Sequence, residues 1–142
     1  MKICLINPGK YHAQPPLSLA YMAVFVRKYS ESKHEIKIVD QNANENVLDE
    51  VLKFEPDIVG ITATTPQISD AIKISNFVKE NFSNAPITIG GIHVSALPKE
   101  TLSINNFDIG VIGEEEQTFL DLINLFENNY KPSYLELSKI KT

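Results

Sequence analysis

The sequence predicts a doubly wound α/β domain, a five-stranded parallel sheet with helices on both faces. Three observations lead there. Short apolar runs alternate with longer helical patterns along the 142 residues. Most of the runs are continuously apolar, as in strands covered on both faces, rather than strictly alternating. The chain is 43% hydrophobic, enough for one core at the length of a single ordinary domain.

KICLINP at 2–8 is a short apolar run ended by Pro-Gly and reads as a buried strand. From 17 to 26 the chain is apolar nearly all round and then meets Arg27-Lys28. That is the pattern of a well-buried helix with basic residues near its negative dipole end. HEIKIVD at 34–40 alternates, which predicts a strand with one more solvated face, near an edge. Residues 46–54 make a short helix, and DIVGITAT at 57–64 a β-branched third strand. Thr65-Pro66 reads as an N-cap followed by a first-turn proline, with Ile68, Ala71, Ile72, Ile74, Phe77 and Val78 as the apolar stripe behind it. APITIGG at 85–91 is the fourth strand, a short helix is expected from near Pro98, and FDIGVIG at 107–113 is the fifth strand. The acidic residues 114–116 open the last helix, whose stripe is Phe119, Leu122, Ile123 and Phe126. At this length the expected strand order is the flavodoxin-like 2-1-3-4-5. A ligand would then lie beyond the carboxyl ends of the strands, near the switch between strands one and three. The domain is expected to occupy residues 1–129, with 130–142 beginning a connector to a further, catalytic domain.

Composition narrows the functional classes. Thirteen basic against 18 acidic residues leave a net charge of −5, which disfavours nucleic acid as a partner. One cysteine excludes an internal disulfide framework and any three- or four-cysteine metal or iron–sulfur site within the chain. No apolar run approaches the roughly 18–20 residues of a membrane span, and MKICLINPGK is too weakly apolar for a signal peptide. The expected location is the cytoplasm, with no membrane partner.

The candidate site residues follow the strands. The long loop that begins at Asn7 and Pro8 is a ligand-loop candidate, its alternative a solvated connection. It lacks GxGxxG and GxxxxGK[ST], so dinucleotide and triphosphate chemistry have no support; Asp40 is accordingly read as a cap. Thr62-Ala63-Thr64 brings two hydroxyls to the end of strand three, as ligand donors or as strand filler. Gly90-Gly91 removes two side chains at the end of strand four, for close approach of a ligand or for a turn. His93 follows on the same loop and reads as a loop residue with a local hydrogen bond. Gly113-Glu114 enters the last helix, where acids disfavour an anion. Cys4 lies inside strand one and reads as an inert buried thiol. No nucleophile–base pair or metal cluster emerges, so the residues describe a ligand-binding domain without catalytic equipment of its own.

INPGKYHAQPPLSLAYMA, HEIKIVDQNANEN, PDIVGITATTPQISDA, ITIGGIHVSALPKETL and FDIGVIGEEEQTFLDLI occur in that order. Together, from residue 1 to about 125, they closely resemble the N-terminal cobalamin-binding domain of cobalamin-dependent radical SAM enzymes. That family includes anaerobic magnesium-protoporphyrin ester cyclases and methyltransferases. The resemblance implies cobalamin (vitamin B12) held over the carboxyl edge of the sheet, its corrin on top and its nucleotide tail between strands and helices. Carried over by segment, Asn7 and Pro8 would lie under the corrin. Thr62, Ala63 and Thr64 would border the tail, Gly90 and Gly91 would leave it room, His93 would follow, and Gly113 and Glu114 would close the far side. No residue is implied as catalytic or as a ligand to the cobalt. The DxHxxG of methionine-synthase-like domains is absent, in keeping with the radical SAM branch. His12 lies in the first loop without the matching context, so a base-off cobalamin with no protein histidine is implied.

The CxxxCxxC of the radical SAM cluster is also absent. An iron–sulfur cluster and S-adenosylmethionine would belong to a C-terminal radical SAM domain, the partner of this excised one in a parent of anaerobic metabolism. The chain alone would be non-catalytic, and the parent a methyltransferase or oxidative cyclase. A receiver domain would need acids after strand one, a phospho-accepting aspartate after strand three and a lysine after strand five; none stands there. A flavodoxin-like FMN carrier would need a hydroxyl- and glycine-rich first loop, which NPGKYHAQPP does not match. The leading alternative is a cofactor-free interaction or scaffold domain of the same fold.

Overall fold

All five strands run parallel in the order β2-β1-β3-β4-β5, as the sequence predicts. The computed structural model describes residues 1–9, 16–43, 46–104, 106–113 and 115–128. The strands are β1 (Lys2–Asn7), β2 (Glu35–Asp40), β3 (Ile58–Thr62), β4 (Ile87–Gly90) and β5 (Ile109–Gly110). The helices are α1 (Leu17–Tyr29), α2 (Val47–Phe54), α3 (Ile68–Asn81), α4 (Ile92–Ala96), α5 (Pro98–Leu102) and α6 (Glu115–Glu127), with 3-10 turns over Gln41–Ala43 and Thr65–Gln67.

Successive side chains of a strand point to opposite faces, and β1 divides its apolar residues accordingly. Ile3 and Leu5 join Leu19, Met22, Ala23 and Val26 of α1 and Phe119 and Ile123 of α6. Cys4 and Ile6 join Val47 and Val51 of α2 and Ala71, Ile74 and Val78 of α3 on the other face. Continuous apolar strands are thus explained by two cores rather than one. Burial pushes the Cys4 thiol up to about 12, which fits an inert thiol. β2 has a neighbour on one side only, and Ile36 and Ile38 are only partly buried, as its alternation predicts. β5 is the other edge. Its regular part is shorter than the apolar run, although Asp108 and Val111 still donate backbone bonds to Ile87 and Ile89 at 2.9 and 2.8 Å.

Three local expectations are corrected. α1 is not buried all round: Leu17, Tyr21 and Val24 are 63%, 67% and 58% exposed. One flank meets the sheet and another meets α6, leaving an outer third that an apolar sequence cannot hide. The residue before the 3-10 turn is Thr64, not Thr65, so the cap stands one position earlier. His93 is not on a loop, because the chain re-enters a helix directly after Gly91, over Ile92–Ala96.

α1 and α6 run side by side and end together. The His34 side chain, only 1% exposed, accepts or donates at 2.8 Å to Ser30 just past α1 and lies 3.8 Å from Glu127 at the end of α6. Burial lowers its pKa against the pull of Glu127.

Candidate functional site

The carboxyl ends of β2, β1 and β3 are tied by one polar chain. Register sets Asn7 beside Asp40 and Thr62 beside Gly90. The Asn7 amide donates to Asp40 Oδ1 at 3.0 Å, and Asp40 Oδ1 also accepts from the Asn42 N–H at 3.0 Å, capping the 3-10 turn. Gln67, 3% exposed, donates through Nε2 to Asn7 Oδ1 at 3.0 Å and to the Pro8 carbonyl at 2.7 Å. Its Oε1 accepts from the Thr64 N–H at 2.9 Å and the Thr64 hydroxyl at 3.1 Å. A buried glutamine is retained where every polar atom finds a partner, and here the partners come from the loops after β1 and β3.

Over this edge opens a cleft of about 690 Å³. Its walls include Asn7, Thr62, Ala63, Thr64, Gly91 and Gly113 of the expected residues. Gln67, Ile92, Glu115 and Glu116 line it as well and were not anticipated. Gly91 turns the chain out of β4 at φ +97°, a conformation close to glycine-only. A Cβ there would stand 2.8 Å from the Ala63 carbonyl and 2.9 Å from the Thr62 hydroxyl. Gly91 therefore leaves room for the end of β3, not for a ligand. A Cβ at Gly90 would instead meet the Glu115 carboxylate at 3.1–3.3 Å.

Glu115 is the first residue of α6, and its Oε1 accepts from the Gly91 N–H at 2.7 Å. Burial raises its pKa above the ordinary 4.5, the Gly91 bond opposes that, and Glu116 adds to it. A folded-state value above the unfolded 4.5 contributes stability that is full below 4.5 and is lost as pH rises through the folded value. Glu115→Gln is expected to remove that downward slope from the stability profile. Urea midpoints taken at successive pH values check it, and superimposable profiles for the two proteins would refute it.

The remaining expected residues fall elsewhere. Pro8 is buried beneath the edge and offers only its carbonyl, to Gln67. Gly90 borders a second, inner cavity of about 20 Å³ between α1, α6 and the sheet, which Leu19, Met22, Gly60, Thr88 and Phe119 also line. His93 is buried, engages the Thr65 hydroxyl through Nδ1 at 3.2 Å, and is not among the residues lining the cleft. Glu114, His12 and the segment 130–142 lie outside the described residues. Among the described residues, no group of three His, Cys, Asp or Glu side chains is placed to hold a metal ion.

The family profile described as B12 binding domain matches residues 10–123. The chain belongs to the B12-binding domain family. An uncharacterised methyltransferase of Pyrococcus horikoshii is 36% identical to this B12-binding domain over 137 residues, a match covering 87% of the chain. The domain spans 29% of that relative's length. Among solved structures, the radical S-adenosylmethionine methyltransferase TsrM from Kitasatospora setae superimposes with a TM-score of 0.77 at 17% identity, over 92% of this chain and 26% of TsrM. The cobalamin-dependent S-adenosylmethionine radical enzyme OxsB with aqua-cobalamin bound gives 0.74 at 21%, over 92% of this chain and 19% of OxsB. At those identities the two structures show the shared fold. The B12-binding domain is thus related to cobalamin-dependent radical SAM enzymes, as the ordered segments of its sequence imply.

Proposed function

We propose that this B12-binding domain binds cobalamin at the carboxyl edge of its sheet, as the cofactor-holding part of a larger radical SAM methyltransferase or cyclase. The observation that carries the reading is the cleft. Six of the ten expected residues, drawn from four different strand ends, line one opening of about 690 Å³ at the strand-order switch. That volume lies within the about 300–1,000 Å³ usual for cofactor sites. Ile92, 71% exposed at the cleft, offers an apolar surface to the face of a macrocycle. Asn7, Thr62 and Thr64 supply polar atoms beneath it, and Gly113 and Glu114 would close the far side. The nucleotide tail would follow Gly90 toward the inner cavity. Bound cobalamin supplies a cobalt centre able to carry a carbon group or electrons. The chain's own residues hold and orient it, and no protein histidine is proposed as a cobalt ligand. In this reading 1–129 is the domain, 130–142 begins the connector, and the iron–sulfur cluster and S-adenosylmethionine reside in the C-terminal partner domain. Location in the cytoplasm is part of the same proposal; no helix among the described residues is long and apolar enough to cross a membrane.

One observation favours a second reading, a cofactor-free interaction domain of this fold: the inner cavity holds only about 20 Å³, room for about one water. Equilibrium dialysis against hydroxocobalamin separates the two. Saturable retention approaching one per chain is expected, and retention no greater than by an unrelated acidic protein would overturn the cobalamin reading.

A further inference from the structure

The wall of the cleft made by the start of α6 is acidic. Among the described residues that line the cleft, Glu115 and Glu116 are charged, and no Lys, Arg or His stands with them. The two carboxylates are not alike. Glu115 is engaged by the Gly91 N–H at 2.7 Å. Glu116 is half-buried and has no hydrogen-bond or ion-pair partner among the described residues. It stands on the rim, lining both the cleft and the groove beside Tyr21 and Val24 on the outer side of α1. The opposite wall differs in sign. There α1 opens with Ser18 at the cleft and carries no acid in its first turn, so the positive end of its dipole is not offset. We propose that Glu116 is a specificity-determining residue: its carboxylate accepts from a peripheral amide N–H of the bound corrin and rejects a corrin that carries a carboxylate at that position. The inference rests on the cobalamin reading above.

The chemistry follows from the place. A corrin ring is edged by acetamide and propionamide side chains, so a macrocycle laid over Ile92 presents amides, not its metal, to the rim. An amide N–H donates to a carboxylate in a charge-assisted bond. A carboxylate in the same position has no proton to donate. It meets Glu116 as a like charge, and no cation of the described lining offsets the repulsion. The selection is therefore by repulsion of the wrong group as much as by attraction of the right one. An acid in the first turn of α6 also suits that helix's dipole. That role acts on folding and is indifferent to what the cleft holds, so the two roles separate in measurement.

The test measures dissociation constants, by equilibrium dialysis with the full chain, for hydroxocobalamin and for its monocarboxylic acids, each with a single propionamide hydrolysed. Cobalt, ring and tail are the same in all of them, so differences belong to the periphery. At least one isomer should bind the parent about 10-fold more weakly than hydroxocobalamin, or about 1.4 kcal/mol. Isomers whose acid faces the α1 wall should keep their affinity. In Glu116→Gln, whose side-chain amide both accepts and donates, the rejected isomer should recover to within about twofold of hydroxocobalamin. In the parent the discrimination should shrink as salt is raised. Equal binding of every isomer by the parent would overturn the proposal and leave the cobalamin reading standing, and so would an isomer that stays weak in Glu116→Gln. Absence of hydroxocobalamin binding by the parent would overturn both. Should Glu116→Gln be poorly folded, the salt series on the parent decides alone, and an isomer ratio unmoved by salt would refute the assignment.

Discussion

Gly91→Ala loses a large part of its stability, whereas Gly90→Ala remains close to the parent. The two glycines are adjacent, and their sequence context offers no way to rank them. Gly91 combines φ +97° with ψ −174°, a region in which a non-glycine residue costs roughly 1–3 kcal/mol. Its new Cβ would also stand 2.8 Å from the Ala63 oxygen and 3.0 Å from the Ala63 nitrogen. Those atoms cannot yield easily, because Ala63 N–H donates to Gly90 O and Ala63 O accepts from His93 N–H, both at 3.1 Å. The combined effect is about 3 kcal/mol or more, out of the 5–15 kcal/mol typical of a domain, and a thermal midpoint lower by roughly 10 °C. At Gly90 the obstacle is the far end of Glu115, which can swing aside, so the change should stay within about 1 kcal/mol. Thermal unfolding of both variants by circular dichroism decides the matter; equal midpoints would mean that the turn out of β4 does not depend on its glycine. A bulky residue at Gly91 therefore reports on folding before it reports on any ligand, and Gly90 is the better position at which to probe the inner cavity.

Replacing Gln67 by leucine acts on fold and site together. The variant fills a similar volume but removes the donor to Asn7 Oδ1 and Pro8 O and the acceptor of two Thr64 protons. At 3% exposure, water cannot replace those partners fully, and each buried group left unpaired costs roughly 1–3 kcal/mol. A net loss of about 2–4 kcal/mol is expected, less than the sum because Asn7 keeps its bond to Asp40. The loops after β1 and β3 would lose their common tie, so retention of hydroxocobalamin should weaken as well. Urea unfolding with an unchanged slope and a lower midpoint would show the first effect, and dialysis the second. A midpoint equal to the parent's would show that the polar chain across the sheet edge contributes nothing to stability.

Strand order was legible because β-branched apolar runs and five βα repeats leave few alternatives at this length. The site was legible as a place, since parallel topology alone sends a ligand to the carboxyl edge. Individual side chains were less so. α4 is five residues long, shorter than two helical turns, and IHVSA carries no period to detect. Gln67 resembles any polar residue at the start of a helix; its importance arises only where the ends of β1 and β3 converge. Three successive acids stand at 114–116, and nothing local distinguishes the one that meets Gly91. Glu114, named beside Gly113, lies outside the described residues; Glu115, which was not singled out, lines both cavities, as does Thr62. The exposed stripe on α1 was hidden for the converse reason: apolar composition reports what a helix could bury, while its neighbours decide what it does bury.

The joint ending of α1 and α6 beside His34 has a consequence for reach. Strands point their carboxyl ends at the cleft, so helices of a parallel fold run the other way, and α6 delivers the chain to the opposite rim. Its 13 residues span about 20 Å at 1.5 Å each. Any domain joined after Asn128 and facing the cleft would therefore start from the far rim, about one helix length from the cleft mouth.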